Sequence, residues 1–424
     1  MVNYANIRDA SMTAVVDQFR QIKASGNLSA GLFISSNNPY RVVQAPEGSD
    51  TARNIAEYIA SSCLTHLYDG WNYMSAALRA FVHNDVGVCG HSAYYAELRA
   101  ALAFLAANGI IICWDDGSYL KSDSSVGQLY RNSRTHKAAW DALKAFAQLP
   151  SNTPDKIQIE KLIEVGGYKL ADWIAELSGA RSSRTLFKSF LLDCGADLEL
   201  YADDKDRRSK YSYSPTALEN YKKFPEQDIR EIVNRFWDLF EPESPGRFEK
   251  IDLYILQSIC DKLKDSMGWN EFEYKKHIIN AIHKLAFGDT QKFLLKKLCG
   301  QKIELPFDLN GDGAANADLH GSMVVRACFM LRLATAACRN LLTLANVTSQ
   351  DLNVWLTQCQ KLRFMWQAAV PNYKYDELWA DVNMAMESLD TYTPRGTEPW
   401  IITEAESLET LSKTEYIMLW GLGL

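Results

Sequence analysis

The sequence has no CxxC pair and none of the patterns GxxxxGKS, GxxxxGKT, GxGxxG, HExxH or GxSxG. Nucleotide hydrolases, dinucleotide enzymes, zinc proteases and α/β-hydrolases are thereby left without their usual signatures. A disulfide framework is equally unsupported. The nine cysteines, at 63, 89, 113, 194, 260, 299, 328, 338 and 359, are odd in number, scattered and mostly set in apolar runs. That usage suits small core residues in a reducing compartment. The closest Cys/His pair, CGH at Cys89 to His91, supplies two of the four ligands a structural zinc requires. No cofactor or metal is expected.

Positive charge is also in short supply, with 45 Lys and Arg against 52 Asp and Glu, a net charge of -7. Such a field repels polyphosphates, so extended DNA binding is excluded and any nucleic acid must meet a local basic patch. The opening stretch has no basic segment followed by an apolar core, so no secretory signal is read there and a cytoplasmic location is expected. The longest apolar run, from Met323, is interrupted by Arg326, Arg332 and Arg339. A charge in mid-bilayer costs roughly 2.5–3.5 kcal/mol on the insertion scale, so this run is expected to be a buried helix and no membrane partner is expected. Its arginines would reach the surface or find carboxylates.

What is present is helical periodicity in an ordinary globular composition, 47% hydrophobic and 23% charged over 424 residues. Trp71, Met74, Leu78 and Phe81 recur at helical spacing, and so do Tyr94, Leu98, Ala101, Leu102 and Leu105. HNDVGVCG is read as their connection, and Gly109 as a left-handed C-cap. IIICWDDGSYL reads as a small β-hairpin about an Asp-Asp-Gly turn. Helix resumes with Ala139, Ala142, Leu143, Phe146 and Leu149 on one face, and QLPSNTPDK reads as a linker. Further helices are expected over 156–178, 182–193, 216–223, 227–240, 248–265, 271–287 and 319–346, then around Leu352 to Trp366 and over 375–390. No strand series of a Rossmann or barrel kind appears, so the fold class is mainly α. The length prior suggests divisions at 150 and 300, giving helical domains over 1–150, 151–300 and 301–424.

The most suggestive chemistry lies in YRNSRTHKAAWDAL, where Asn132 follows Arg131 and His136 stands five positions beyond the arginine. This stretch reads as a polar loop entering an amphipathic helix. Five residues turn an α-helix through about 140° beyond one revolution, so the pair works better if the helix starts at Ser133 or Thr135, where Arg131 lies on the entering loop and can fold back. RNSRTH resembles the R-x4-H motif of HEPN-domain ribonucleases, with a polar residue after the arginine. The resemblance covers residues 66 to 149, with Glu97 on the preceding helix as the acidic residue.

The resemblance implies a helical bundle in the first 150 residues and metal-independent RNA cleavage, commonly at a dimer interface, in bacterial toxin and antiviral defence proteins. Within it His136 is the general acid/base, Arg131 stabilises phosphate charge, and Asn132 and Glu97 orient them. The residue chemistry agrees. Histidine titrates near neutrality, whereas arginine stays charged and offers phosphate a bidentate fork. Arg134 and Lys137 would contact RNA beside this pair. The plainer reading makes Arg131, Arg134 and Lys137 solvated charges, and His136 a first-turn surface residue.

Three other stretches carry suggestive patterns. DDKDRRSKYSYSP interleaves Arg207, Arg208 and Tyr213 as a single-strand RNA contact would, although its aspartates nearly cancel the charge. DLNGDGAANADL matches a calcium loop at its first positions, but Leu319 occupies the place of the closing glutamate, so a helix-capping loop is expected. RSSRTLFKSF at Arg181 echoes RNSRTHKAAW, with Leu186 in place of His136. The functional expectation is a cytoplasmic endoribonuclease with RNA as substrate and a protein partner or a second copy of the chain. The competing expectation is a non-catalytic helical scaffold or sensor subunit of a larger defence assembly.

Overall fold

A computed structural model describes residues 3–25, 49–113, 116–131, 133–150, 153–178, 224–243, 247–286, 288–300, 302–307, 319–352, 355–356, 375–393 and 399–423. Two short helices, α1 (Tyr4–Asp9) and α2 (Met12–Ala24), begin the chain, capped by the side chains of Asn3 and Ser11. Next come α3 (Ser49–Val82) and α4 (Val86–Ala107). The stripe Ile59, Cys63, Leu67, Trp71, Met74, Leu78 and Phe81 on α3 is buried throughout. The connection between them is shorter than expected. Asp85 accepts from Val88 N at 3.1 Å, and this cap starts the helix within VGVCG, the stretch read as loop. So tight a join sets α3 and α4 side by side.

After α4 the chain passes through Gly109, whose φ of +80° ends the helix as expected. An antiparallel sheet follows: β1 (Ile110–Cys113), β2 (Asp116–Leu120) and β3 (Val126–Arg131). The expected hairpin is β1–β2, with Gly117 inside a strand opposite Ile112. The third strand corrects the reading of Tyr130 and Arg131 as loop. Helix α5 (Thr135–Ala147) then packs Ala139, Ala142, Leu143 and Phe146 inward. Residues 149–150 and 153–157 are tied down rather than forming a free linker. Leu149 and Ile157 are buried, Thr13 N donates to Asp155 Oδ1 at 2.7 Å, and Ile157 N donates to Asn108 Oδ1 at 2.9 Å.

The expected helix over 156–178 is replaced by a two-strand ribbon, β4 (Glu164–Val165) and β5 (Tyr168–Lys169), and then by α6 (Leu170–Ser178). Gly166 and Gly167 have φ of +61° and +84°, so the Gly-Gly pair makes the turn with positive φ at both central positions that a tight hairpin favours. Helices α7 (Glu226–Leu239), α8 (Glu249–Met267) and α9 (Glu271–Leu285) follow near their expected ranges. An unexpected α10 (Gly288–Leu298) comes next. The calcium-like loop, the 181–190 echo and the expected helices over 182–193 and 216–223 lie outside the described residues, as does most of 352–366.

The long helix α11 (Leu319–Leu344) is long and apolar enough to cross a bilayer, but its apolar span is wholly buried in the protein. It lies along the alanine-rich face of α4 and against α3, where Trp71 Nε1 donates to Thr335 Oγ1 at 3.1 Å. Two of its arginines find carboxylates. Arg332 makes a two-point pair with buried Asp252 of α8, at 2.9 and 2.6 Å. Arg326 Nε lies 3.7 Å from Glu97 Oε1 of α4. The chain closes with α12 (Tyr375–Thr391), α13 (Trp400–Thr403), α14 (Ala405–Leu411) and α15 (Glu415–Leu422). Helix α15 is buried on every side, and Thr414 Oγ1 just before it donates to Trp71 O at 2.9 Å. One hydrophobic core therefore draws on all three thirds of the sequence, and its packing crosses positions 150 and 300. The fold is mainly α.

Candidate functional site

Strand β3 delivers Arg131. Leu129 and Tyr130 are buried, with the Tyr130 ring against Gly117 and its hydroxyl donating to Cys113 O at 3.3 Å. Anchored this way, the strand ends with Arg131 exposed opposite Asp116. Helix α5 begins at Thr135, with Arg134 in extended conformation at its N-cap, so Arg131 stands off the helix and His136 lies in its first turn. Arg131, Arg134 and Lys137 are exposed, and among the described residues none of them has an ion-pair partner.

His136 is half-buried, which corrects its placement at an exposed helix start. Its Nδ1 shares a hydrogen bond of 2.7 Å with the hydroxyl of Tyr94, a buried residue of α4. The two rings are parallel, with centroids 5.6 Å apart and planes 2° from coplanarity. Tyr95 presents its edge to the same imidazole at 5.8 Å. One helical turn earlier, His91 lies against the Tyr95 ring at 4.9 Å, and Tyr73 of α3 stacks on it at 5.1 Å. Two imidazoles thus border one half-buried phenol. Trp140, one turn after His136, meets Tyr94 at 6.5 Å.

Glu97 is completely buried in α4, and its ionic contact is Arg326 of α11. Asn132, Arg207, Arg208 and Tyr213 lie outside the described residues.

The sequence alone shows His91 as one half of a Cys/His pair and Tyr94 as part of an apolar helical stripe. The i, i+4 spacing of His91 and Tyr95 was a usable signal for the cluster; the Tyr94 to His136 contact, 42 positions apart, was not. A second missed group is His66, Asp69 and Arg99. Arg99 Nη1 donates to His66 Nδ1 at 2.9 Å and lies 3.4 Å from Asp69 Oδ2. Burial, and then the Arg99 charge, push His66 down to about 3. An arginine can only donate, so His66 is neutral with its proton on Nε2. Burial raises the Asp69 carboxyl, and Arg99 partly opposes that.

Among the described residues no group of three or more His, Cys, Asp or Glu side chains is placed to hold a metal ion. A polar cleft of about 720 Å³ lies between α7 and α12. Its arginines are engaged by the protein: Arg230 donates to Leu389 O at 2.8 Å and lies over the Tyr392 ring, while Arg235 pairs with Glu231 and Glu304. It is a helix seam more than a ligand site.

Fold and site together define a mainly α-helical protein with a histidine–tyrosine cluster at the start of α5, where three exposed cations lie at the end of β3 and in the helix's first residues. The chain matches no family model, no curated protein and no solved structure.

Proposed function

We propose that this protein is a metal-independent endoribonuclease of a prokaryotic toxin or phage-defence system, acting in the cytoplasm with a protein partner or a second copy of the chain. The observation that carries this reading is the 2.7 Å hydrogen bond between Tyr94 and His136 Nδ1 at a helix start bordered by Arg131, Arg134 and Lys137. A tyrosine hydroxyl can donate or accept, so this bond persists whichever proton state His136 adopts. Tyr94 is therefore a positioning residue that orients the imidazole throughout an acid/base cycle.

In the reaction, His136 removes the proton of a 2′-hydroxyl through Nε2, and the 2′-oxygen attacks the adjacent phosphorus. The bond to the 5′-oxygen breaks, leaving a 2′,3′-cyclic phosphate. The departing oxygen takes a proton from a second imidazole, a role His91 can fill beside the same Tyr95 ring. Arg131 stabilises the charge on the phosphorane, as a guanidinium fork suits. Arg134 and Lys137 hold the flanking phosphates, with Arg207, Arg208 and Tyr213 as additional RNA contacts. Asn132 keeps its role orienting Arg131 or His136. For Glu97, buried beside Arg326, that role passes to Tyr94.

The test is cleavage of a mixed RNA pool by purified protein in EDTA, with Arg131→Ala and His136→Ala alongside. Loss of cleavage in both folded variants supports the reading; cleavage undiminished in both sinks it. A second reading, a non-catalytic subunit of a larger assembly, is favoured by Met384 and Ile402, which are 68% and 64% exposed. They belong to α12 and α13, near the bond Ser388 Oγ donates to Glu404 Oε2 at 2.7 Å. A wild-type protein that stays inert toward RNA with its native partners present would favour that reading.

A further inference from the structure

Helices α9 and α10, with Lys302 just beyond them, carry seven lysines against three acidic residues, Glu271, Glu273 and Asp289, in a chain whose net charge is -7. Helix α9 turns Tyr274, Ile278, Ala281 and Ile282 inward, which leaves Lys275, Lys276, His277, His283 and Lys284 on the outside. Helix α10 buries Leu294 and Leu298 and exposes Lys292 and Lys296. Some of this charge is engaged: Lys284 pairs with Glu176 at 2.7 Å, Lys292 with Asp289 at 3.3 Å, and Lys302 with Asp261 at 2.6 Å. Lys275 lies in the field of the Glu271 carboxylate one turn before it, and among the described residues Lys276 and Lys296 have no ion-pair partner.

Aromatic surface adjoins these cations. At the corner between α8 and α9, Trp269 lies flat on His277, with centroids 4.0 Å apart and planes 9° from parallel. Phe272, between Glu271 and Glu273 and one helical turn before Lys276, is 77% exposed. An exposed phenyl ring beside unpaired ammonium groups is the combination that holds a single strand, because bases stack on the ring while phosphates meet the cations.

We infer that the α8–α9 corner and the outer face of α9 and α10 bind single-stranded RNA, with phosphates on Lys275, Lys276 and Lys296 and a base stacked on Phe272. The choice of RNA rests on the ribonuclease reading; the surface would hold substrate strand while the His136 site cuts it. A membrane fits less well. The apolar face of α9 is turned into the core, and only Phe272 and Met267 at this corner are large, apolar and exposed. An interfacial helix needs a broad outward apolar face.

The test measures fluorescence anisotropy of a labelled 20-nucleotide oligouridine in EDTA, using the full chain carrying His136→Ala so that RNA is not consumed. Added to that background, Lys275→Glu, Lys276→Glu and Lys296→Glu together should weaken binding at least tenfold. They should also lower the slope of log affinity against log salt by about 2, as three lost contacts to a single strand imply. Phe272→Ala should weaken binding about fivefold or more. Circular dichroism should be unchanged in both, since all four side chains are exposed.

Equal affinity in the folded variants overturns the inference, and so does failure of the unmutated surface to bind. Loss of binding to phosphatidylserine vesicles with RNA affinity unchanged overturns it in favour of lipid. The two readings fail separately. RNA held through these lysines but never cut by the wild type leaves this surface standing and removes the nuclease. Cleavage without any effect of the lysines does the reverse.

Discussion

His136 and His66 show how the same side chain takes opposite roles according to its surroundings. His136 is half-buried and hydrogen-bonded to a tyrosine, while His66 is held neutral by burial and then by the Arg99 charge. Replacing His136 with Ala should cut RNA cleavage by about 10²–10⁴-fold. It should cost stability only about 1 kcal/mol, the net worth of one hydrogen bond, as a denaturant midpoint would record. Tyr94→Phe keeps the ring stack and removes the bond to Nδ1, so it should lower cleavage and displace the pH–rate profile. An unmoved profile would make Tyr94 merely structural. His66 predicts a pH effect on stability. Between pH 6.5 and about 3 the unfolded chain takes up a proton that the folded chain refuses, so stability falls as pH drops through that window and is fully retained above it. The slope is at most about 1.4 kcal/mol per pH unit. Urea denaturation of His66→Asn should show a shallower dependence than wild type between about pH 4 and 6; identical slopes would contradict the assignment. Of the residues at the site, the helix start at Thr135 and the placement of Arg131 off the helix were legible from local spacing. Tyr94 was not, because its contact with His136 depends on how α4 packs against α5.

At the scale of elements, legibility followed periodicity. Helices with one apolar face, such as α7, α8 and α9, announce themselves through the i, i+3, i+4 pattern. Helix α15 was missed because it is buried all round and so has no polar face to set a period. Strand β3 was missed because VGQLYR, with its glycine and glutamine, reads as loop until β2 pairs with it. The β4–β5 ribbon fell inside an expected helix because the turn signal is two consecutive glycines with positive φ, and a periodicity count does not register that. The buried pair between α8 and α11 carries a prediction at this scale. Asp252→Ala leaves the Arg332 guanidinium buried without its carboxylate and should cost about 3–5 kcal/mol in chemical denaturation. The double change Asp252→Leu with Arg332→Met should recover most of that loss. A single variant as stable as wild type would contradict the account of this pair.

The molecule as a whole is less divided than its length suggests. Helix α11, from the last third, lies along α4, and α15 sits against α3, so the helices within 1–150 share their core with distant sequence. Length statistics cannot reveal this, because the interleaving is set by tertiary packing between segments more than 200 residues apart. Expressed alone, residues 1–150 should lack a cooperative thermal transition, while the full chain has one; a well-dispersed NMR spectrum from the fragment would contradict this. Charge is also unevenly spread. The net charge of -7 hides a basic tract over α9 and α10, and a running charge count along the sequence would have exposed it. The central claim, that Arg131 and His136 cut RNA through its own 2′-oxygen, is tested most directly by one comparison in EDTA. Wild-type protein, with its native partners, is given an RNA oligonucleotide and the same oligonucleotide lacking 2′-hydroxyls. The account predicts that the RNA is cut to 2′,3′-cyclic phosphate ends and that the deoxy strand stays whole. Cleavage of both strands, or of neither, contradicts it.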